Sequence, residues 1–411
     1  MLTRLYVNNH RCLVNFEWKP GPLALLMGPN GAGKSTVLSC LDMLRAFVSG
    51  EAKTDSLFVE ADLTRWVQEK VQTFEIEIQG NGGTYVYGLR VEVQPGRDRS
   101  FVREELLTYQ GQPLFQMTTG ENLLCEARLF RDDRTGPDQP YPFDWTRSGV
   151  GFLQSRPDNA RLTWFREYMS RLLVVRINPF AMAAESDIEA SRPSYGMENF
   201  VNWYRFLIQE KQTRIRRLED ALKEVLDGCQ GLNLPQTGEK RRMLKAAFKS
   251  GKRTREIEYS LSELSDGQRA LIVLYTILEM CMTPGTTVCI DEPDNFVATR
   301  EIQPWLSELK DRCLEAEGQA LLVSHHPEVV DYLGATYGFW MEREPNAHSR
   351  IHALEGQPVN ESRDYSPHGP HRPINCRPHV ESLVQLCATG RLPDTAPAQL
   401  RMACAEVSRV L

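Results

Sequence analysis

At 411 residues, 41% of them hydrophobic and 25% charged, the chain has an ordinary soluble composition and enough apolar mass for two or three domain-sized units. A net charge of −6 excludes a protein that coats nucleic acid by bulk charge, while leaving a local basic patch open. The longest apolar run, 270–282, is interrupted by Glu279 and too short to span a bilayer. With no leader pattern at the start and ten scattered cysteines that form no C-x-x-C pair, the expectation is a cytoplasmic protein with reduced core thiols and no membrane partner.

Residues 1–50 read as strand, turn, strand, loop, helix. Leu23 to Met27 is an apolar run that stops at glycine, as a buried strand does. Gly28-Pro29-Asn30-Gly31-Ala32-Gly33-Lys34-Ser35 then matches G-x-x-x-x-G-K-[ST], the phosphate-binding P-loop. Its glycines permit backbone angles that turn N–H groups onto an anion, and the following helix adds its positive end. Asn30, Gly31, Ala32, Gly33, Lys34, Ser35 and Thr36 are therefore the expected ATP contacts. Lys34 reaches the β- and γ-phosphates, and the Ser35 hydroxyl ligates Mg²⁺.

Residues 73–130 alternate apolar and polar residues around Asn81-Gly82-Gly83 and again around Gln110-Gly111-Gln112, which predicts an antiparallel sheet beside the nucleotide core. Residues 131–160 read as a loop, and 197–228 carry helical periodicity from Phe200 to Val225. A second hairpin is expected around Ser250-Gly251. Its eight positive residues (Lys240, Arg241, Arg242, Lys245, Lys249, Lys252, Arg253, Arg255) suit either DNA phosphates or a solvated edge. A buried helix over 271–282 precedes short buried strands at 287–290 and 321–324. From 344 the chain is polar and Pro-rich, so it reads as largely irregular with a last helix over 396–410. His368, His371, Cys376 and His379 are too irregularly spaced to read as a zinc site. The expected domains are 1–130 (P-loop lobe and antiparallel insert), 131–260 (helical subdomain and hairpin), 261–343 (C-terminal lobe) and 344–411 (tail).

A P-loop needs acids for Mg²⁺ and water. The apolar strand Val288-Cys289-Ile290 delivers Asp291, which can hold Mg²⁺, and Glu292, which can orient or deprotonate the attacking water. Upstream of it, Leu264-Ser265-Asp266-Gly267-Gln268 resembles the L-S-x-G-Q signature of ABC-type ATPases. A serine hydroxyl and glycine N–H at a helix start form a second anion site there, with Ser265, Gly267 and Gln268 as its residues. Ser324-His325 after the next strand matches the switch histidine of that class, with His326 as the rival position. In ABC-type ATPases the signature serine faces nucleotide bound by a partner protomer. The resemblance therefore implies a homodimer sandwiching two ATP molecules head to tail, with higher assembly left open.

The opening "LYVNNHRCLVNFEWKPG" with the P-loop, the "REELL" segment and "LSDGQRALIVL" are similar to the SMC, RecF and OLD-nuclease branch, over roughly residues 1–340. The implied fold class is α/β: a P-loop NTPase of ABC type, its mixed sheet flanked by helices, with an antiparallel β insert and a helical subdomain. Arg11 takes the place of the arginine that an N-F-R turn sets near nucleotide, with His10 standing for the phenylalanine. Compact ATPases of this branch act beside a nuclease or toxin in bacterial anti-phage defence. The implied function is thus a dimeric ATP-hydrolysing switch on a separate effector, with a RecF-type DNA-repair ATPase or a transporter subunit as alternatives. The chain departs from its relatives in three places: it has no sustained heptads; Asp294-Asn295-Phe296-Val297-Ala298 replaces the transporters' S-A-L-D; and only Gln72 and Gln79 stand as weak counterparts of a glutamine loop.

Overall fold

The computed structural model describes residues 1–96, 99–132, 136–249, 256–344 and 347–354. The chain opens with β1 (Leu2–Asn8), β2 (Phe16–Trp18) and β3 (Leu23–Met27), then enters α1 (Lys34–Val48) directly from the P-loop. After the short α2 (Thr54–Leu57) come five antiparallel strands and a short sixth: β4 (Val71–Gly80), β5 (Gly83–Gln94), β6 (Arg99–Tyr109), β7 (Gln112–Thr119), β8 (Cys125–Leu129) and β9 (Tyr141–Pro142). Together with β1 and β2 they make one eight-stranded sheet in the order β2-β1-β4-β5-β6-β7-β8-β9. The expected hairpins hold because Asn81 and Gly82, and then Gln110 and Gly111, all take positive φ, as tight two-residue turns require.

α3 (Gly149–Phe152) and α4 (Ala160–Arg171) follow, the latter laying Trp164 and Phe165 on Tyr85 and Tyr87 with ring centroids 4.9 and 5.5 Å apart. The next elements are β10 (Leu173–Val175), β11 (Glu185–Ser186), α5 (Phe200–Glu210) and α6 (Gln212–Val225), so the helical stretch is two helices that meet at Lys211. β12 (Cys229–Asn233), β13 (Arg242–Met243), β14 (Lys245–Lys249) and β15 (Glu256–Ser260) come next. β12, β14 and β15 form a small antiparallel sheet, and β13 pairs with β11. The Ser250-Gly251 turn lies outside the described residues.

α7 (Asp266–Cys281), β16 (Thr287–Asp291), α8 (Thr299–Leu314), β17 (Gln319–Val323), α9 (Pro327–Tyr337), β18 (Gly338–Glu342) and β19 (Arg350–Ala353) complete the described chain. The central sheet runs β10-β16-β17-β3-β18-β19, parallel except for β19. β3, β16 and β17 are buried along their whole length, which is why they read as unbroken apolar runs. Alternate residues serve two cores. Ala24, Leu26, Cys289, Leu321 and Val323 face the core under α1 and the antiparallel sheet, whereas Leu23, Leu25, Val288, Ile290, Ala320 and Leu322 face the core under α7, α8 and α9.

Three expectations are corrected. Residues 131–160 are not a loop throughout, because Tyr141–Pro142 adds a short strand beside β8 and Gly149–Phe152 forms one helical turn, both too short to leave a periodic signal. The chain after 344 is not irregular throughout, because Arg350–Ala353 pairs antiparallel with β18; its mostly exposed edge position leaves no apolar signature to read. The buried helix starts earlier than 271, because Ser265 caps it. The helix expected over 396–410 and the 368–379 cluster lie outside the described residues. Among the described residues no helix is long and apolar enough to cross a membrane.

Candidate functional site

Each glycine of the loop answers a local demand. Gly28 has φ 144°, and a Cβ there would stand 2.0 Å from the Met341 carbonyl oxygen of β18. Gly33 has φ 103°, and its Cβ would come within 2.8 Å of both Cys12 Sγ and Ser349 Oγ. Ser349 donates from its hydroxyl to Ala32 O at 2.6 Å and from its N–H to Cys12 O at 2.9 Å. The β18–β19 return therefore clamps the P-loop from outside. Lys34 donates its ammonium to Gly28 O and Pro29 O (2.7 and 3.1 Å). Burial lowers its pKa, and Asp291 and Glu292 oppose the shift.

The loop faces a cavity of about 570 Å³, a size suited to a small ligand. Asn30, Gly31, Gly33, Lys34, Ser35 and Thr36 line it, joined by Arg11, Arg65, Trp66, Arg343 and Glu292. Arg11 is held by Asp62, which accepts from its Nε at 2.8 Å and its N–H at 2.7 Å. His10 is buried like an apolar ring but keeps one polar contact, with Gln72 Nε2 3.3 Å from its Nδ1. It is 1% exposed, edge-on to Phe74, and burial holds its pKa down at about 4, so it stays neutral. Gln72 is no glutamine-loop residue: wholly buried, it donates to Asn9 O and Asp62 O and braces the Arg11 corner. Gln79 accepts from Thr84 on the antiparallel sheet.

β16, β17 and β3 are adjacent and parallel, so their carboxyl ends meet beside the P-loop. Asp291 is 1% exposed; Tyr195 donates its hydroxyl to Oδ2 at 3.1 Å, and Oδ1 has no hydrogen-bond partner among the described residues. An orphaned buried carboxylate oxygen at this position fits Mg²⁺ held through water, with Ser35 as the second ligand. Glu292 takes a left-handed φ of 53° and accepts from Arg176 and from Asn295 (2.7 Å) on Oε2. His325 Nδ1 stands 3.5 Å from Oε1. His326 is committed elsewhere: it caps α9, its Nδ1 accepting from Glu328 N–H, so His325 is the histidine at the acid.

Ser265 sits apart from this set. It is exposed at the start of α7 in a capping box, its Oγ accepting from Gln268 N–H at 3.3 Å while Gln268 Oε1 accepts from its own N–H at 3.1 Å. A Cβ on Gly267 would stand 2.8 Å from Phe296 O. None of Ser265, Gly267 and Gln268 lines the P-loop cavity. The structure thus gathers the P-loop, Arg11, Glu292 and His325, and leaves the signature outside. The sequence reading missed Arg176, Tyr195, Asn295 as a partner of Glu292, Trp66, Arg343 and Ser349. Each reaches the site through the fold and carries no local pattern.

Fold and site together define a P-loop ATPase, its nucleotide loop and acid pair gathered at the carboxyl edge of a parallel sheet. The chain belongs to the family described as "AAA domain, putative AbiEii toxin, Type IV TA system", whose model matches residues 23–331. It is 33% identical over 104 residues to an OLD nuclease of Thermus scotoductus, a match covering 25% of this chain and 19% of that protein. It is 41% identical over 66 residues to a "Putative ABC transporter ATP-binding protein" of Methanosarcina acetivorans, covering 16% and 10%. The chain therefore spans a fifth or less of these curated relatives. In fold it is similar to an Smc head bound to the C-winged helix domain of ScpA, with TM-score 0.52 and 12% identity over 85% of this chain and 97% of that one.

Proposed function

We propose that this protein is a cytoplasmic, ATP-hydrolysing switch that closes as a homodimer on ATP and Mg²⁺ and controls a separate nuclease or toxin in bacterial anti-phage defence. One observation carries the reading. The chain's own cavity holds the P-loop and the acid Glu292, while Ser265, Gly267 and Gln268 open a helix N-terminus outside it. A signature placed this way suits the nucleotide of a second copy. The exposed pair Phe180 and Phe296, edge-to-face at 5.4 Å beside the signature corner, offers apolar area for that contact.

In this reading Lys34 leaves the loop carbonyls for the β- and γ-phosphates, and Ser35 and Asp291 hold Mg²⁺, which supplies charge neutralisation on the phosphates. Glu292 takes the proton of the attacking water, and His325 beside it touches the γ-phosphate. Arg11 lies at the cavity wall, within the reach of a bound nucleotide. Ser265 and the Gly267 N–H of the partner copy complete the γ-phosphate shell, so that ATP joins the copies and hydrolysis parts them.

The test is turnover against protein concentration, with mass measured in parallel. Turnover per chain should climb as dimer forms, vanish without Mg²⁺ and vanish in Lys34→Ala. A rate per chain that is flat while the protein stays monomeric contradicts the dimer. Co-purification with the product of the neighbouring gene tests the effector, whose nuclease or toxin activity should differ between ATP-loaded Glu292→Gln and Lys34→Ala. Equal activity with both variants removes the control role.

A further inference from the structure

Two donors meet on one oxygen of the site. Arg176 Nη2 and Asn295 Nδ2 both donate to Glu292 Oε2, which leaves Oε1 as the oxygen turned toward His325. Arg176 arrives there by strand register. β10 runs parallel to β16 with Val175 opposite Ile290, so the next residue emerges beside the acid end. The segment is then fixed by pairing with the chain ahead of α5. Arg176 N–H donates to Tyr195 O at 2.7 Å and Asn178 N–H to Gly196 O at 3.3 Å. Arg176 and Tyr195, joined by that backbone bond, each reach one acid, the guanidinium on Glu292 and the phenol on Asp291. Three residues on, Pro179 O accepts from Arg269 Nη1 at 2.8 Å, so the same segment is anchored at the signature helix.

The Arg176 side chain is 48% exposed, so its ion pair adds little to stability, and no packing demand explains it. Its effect is orientational. Glu292 stands on a left-handed backbone position, and the two donors on Oε2 fix the direction of its carboxylate. We propose that Arg176 is a positioning residue which, with Asn295, anchors Oε2 of Glu292 so that Oε1 is the atom that receives the water's proton. As that O–H bond breaks, the water oxygen bonds the γ-phosphorus and the bond to the β-phosphate oxygen breaks, leaving ADP and phosphate. This role rests on the ATPase reading of the site.

The experiment compares wild type, Arg176→Ala, Arg176→Lys, Asn295→Ala, the Arg176→Ala/Asn295→Ala pair and Glu292→Gln, measuring kcat and KM for Mg-ATP and equilibrium binding of a fluorescent ATP analogue. Arg176→Ala should lose about 10- to 100-fold in kcat with KM and analogue binding unchanged, which also reports an intact fold. Arg176→Lys should regain part of the loss, and Arg176→Ala combined with Asn295→Ala should lose less than the product of the single losses. An unchanged or raised kcat in Arg176→Ala overturns the role, as does a loss of analogue binding that matches the loss of turnover. Wild type without hydrolysis overturns the ATPase reading itself; Glu292→Gln as active as wild type leaves hydrolysis standing but removes Glu292 as the proton acceptor, and the Arg176 role with it.

Discussion

Gly28 carries the tightest steric demand in the nucleotide loop: its φ of 144° and the Met341 carbonyl 2.0 Å from an added Cβ leave no room for any side chain. Gly28→Ala should therefore cost about 1–3 kcal/mol, seen as a lowered thermal midpoint, and abolish binding of a fluorescent ATP analogue. A variant as stable as wild type would show that β18 yields there. Residues of this kind are legible in sequence, because the constraint acts within a few positions of the residue it selects. Arg176 is the opposite case. It meets Glu292 across a separation of 116 residues, and nothing around Val174-Val175-Arg176 says which acid it will find. His326 shows a third situation, in which a plausible site residue is claimed by a local job, capping α9, that only the backbone reveals.

Elements follow the same rule of short-range legibility. β3, β16 and β17 announce themselves as apolar runs, and β4 to β7 as alternation around tight turns. α4 escapes because its four buried residues, Leu162, Phe165, Tyr168 and Met169, are diluted by Arg161, Arg166 and Arg171. A pH-sensitive group sits on β6, where Glu105 is wholly buried and accepts from Tyr87 Oη, Ser148 Oγ and Gly149 N–H. Burial raises its pKa from 4.5 to about 7, against those donors. The folded chain therefore keeps a proton that the unfolded chain gives up across this interval. The Glu105 contribution is complete below the unfolded value and is lost as pH rises toward the folded one, roughly 3 kcal/mol in all. Glu105→Gln removes the titration, its one amide oxygen still able to accept from Gly149 N–H while its NH2 turns to the Tyr87 and Ser148 hydroxyl oxygens, so denaturation curves at about pH 5 and about pH 8 should diverge less in the variant than in wild type. Equal divergence would place the pH sensitivity elsewhere.

At the scale of the molecule, one parallel sheet is shared by two cores, and its carboxyl edge collects the P-loop, Asp291, Glu292 and His325 from segments far apart in sequence. Reading the motifs in order was enough to assemble that edge, since each motif ends a buried strand. It was not enough to find the brace behind it, β10 with Tyr195, or the β18–β19 clamp, whose exposed strand looks like tail. The arrangement leaves Ser265 capping α7 at the surface, outside the cavity that the P-loop lines. The most direct measurement of the account is sedimentation of Glu292→Gln with ATP and Mg²⁺, alone and combined with Ser265→Arg. The first protein should run as a dimer and the double variant as a monomer that still binds ATP; a monomeric Glu292→Gln, or a dimer indifferent to Ser265→Arg, would contradict it.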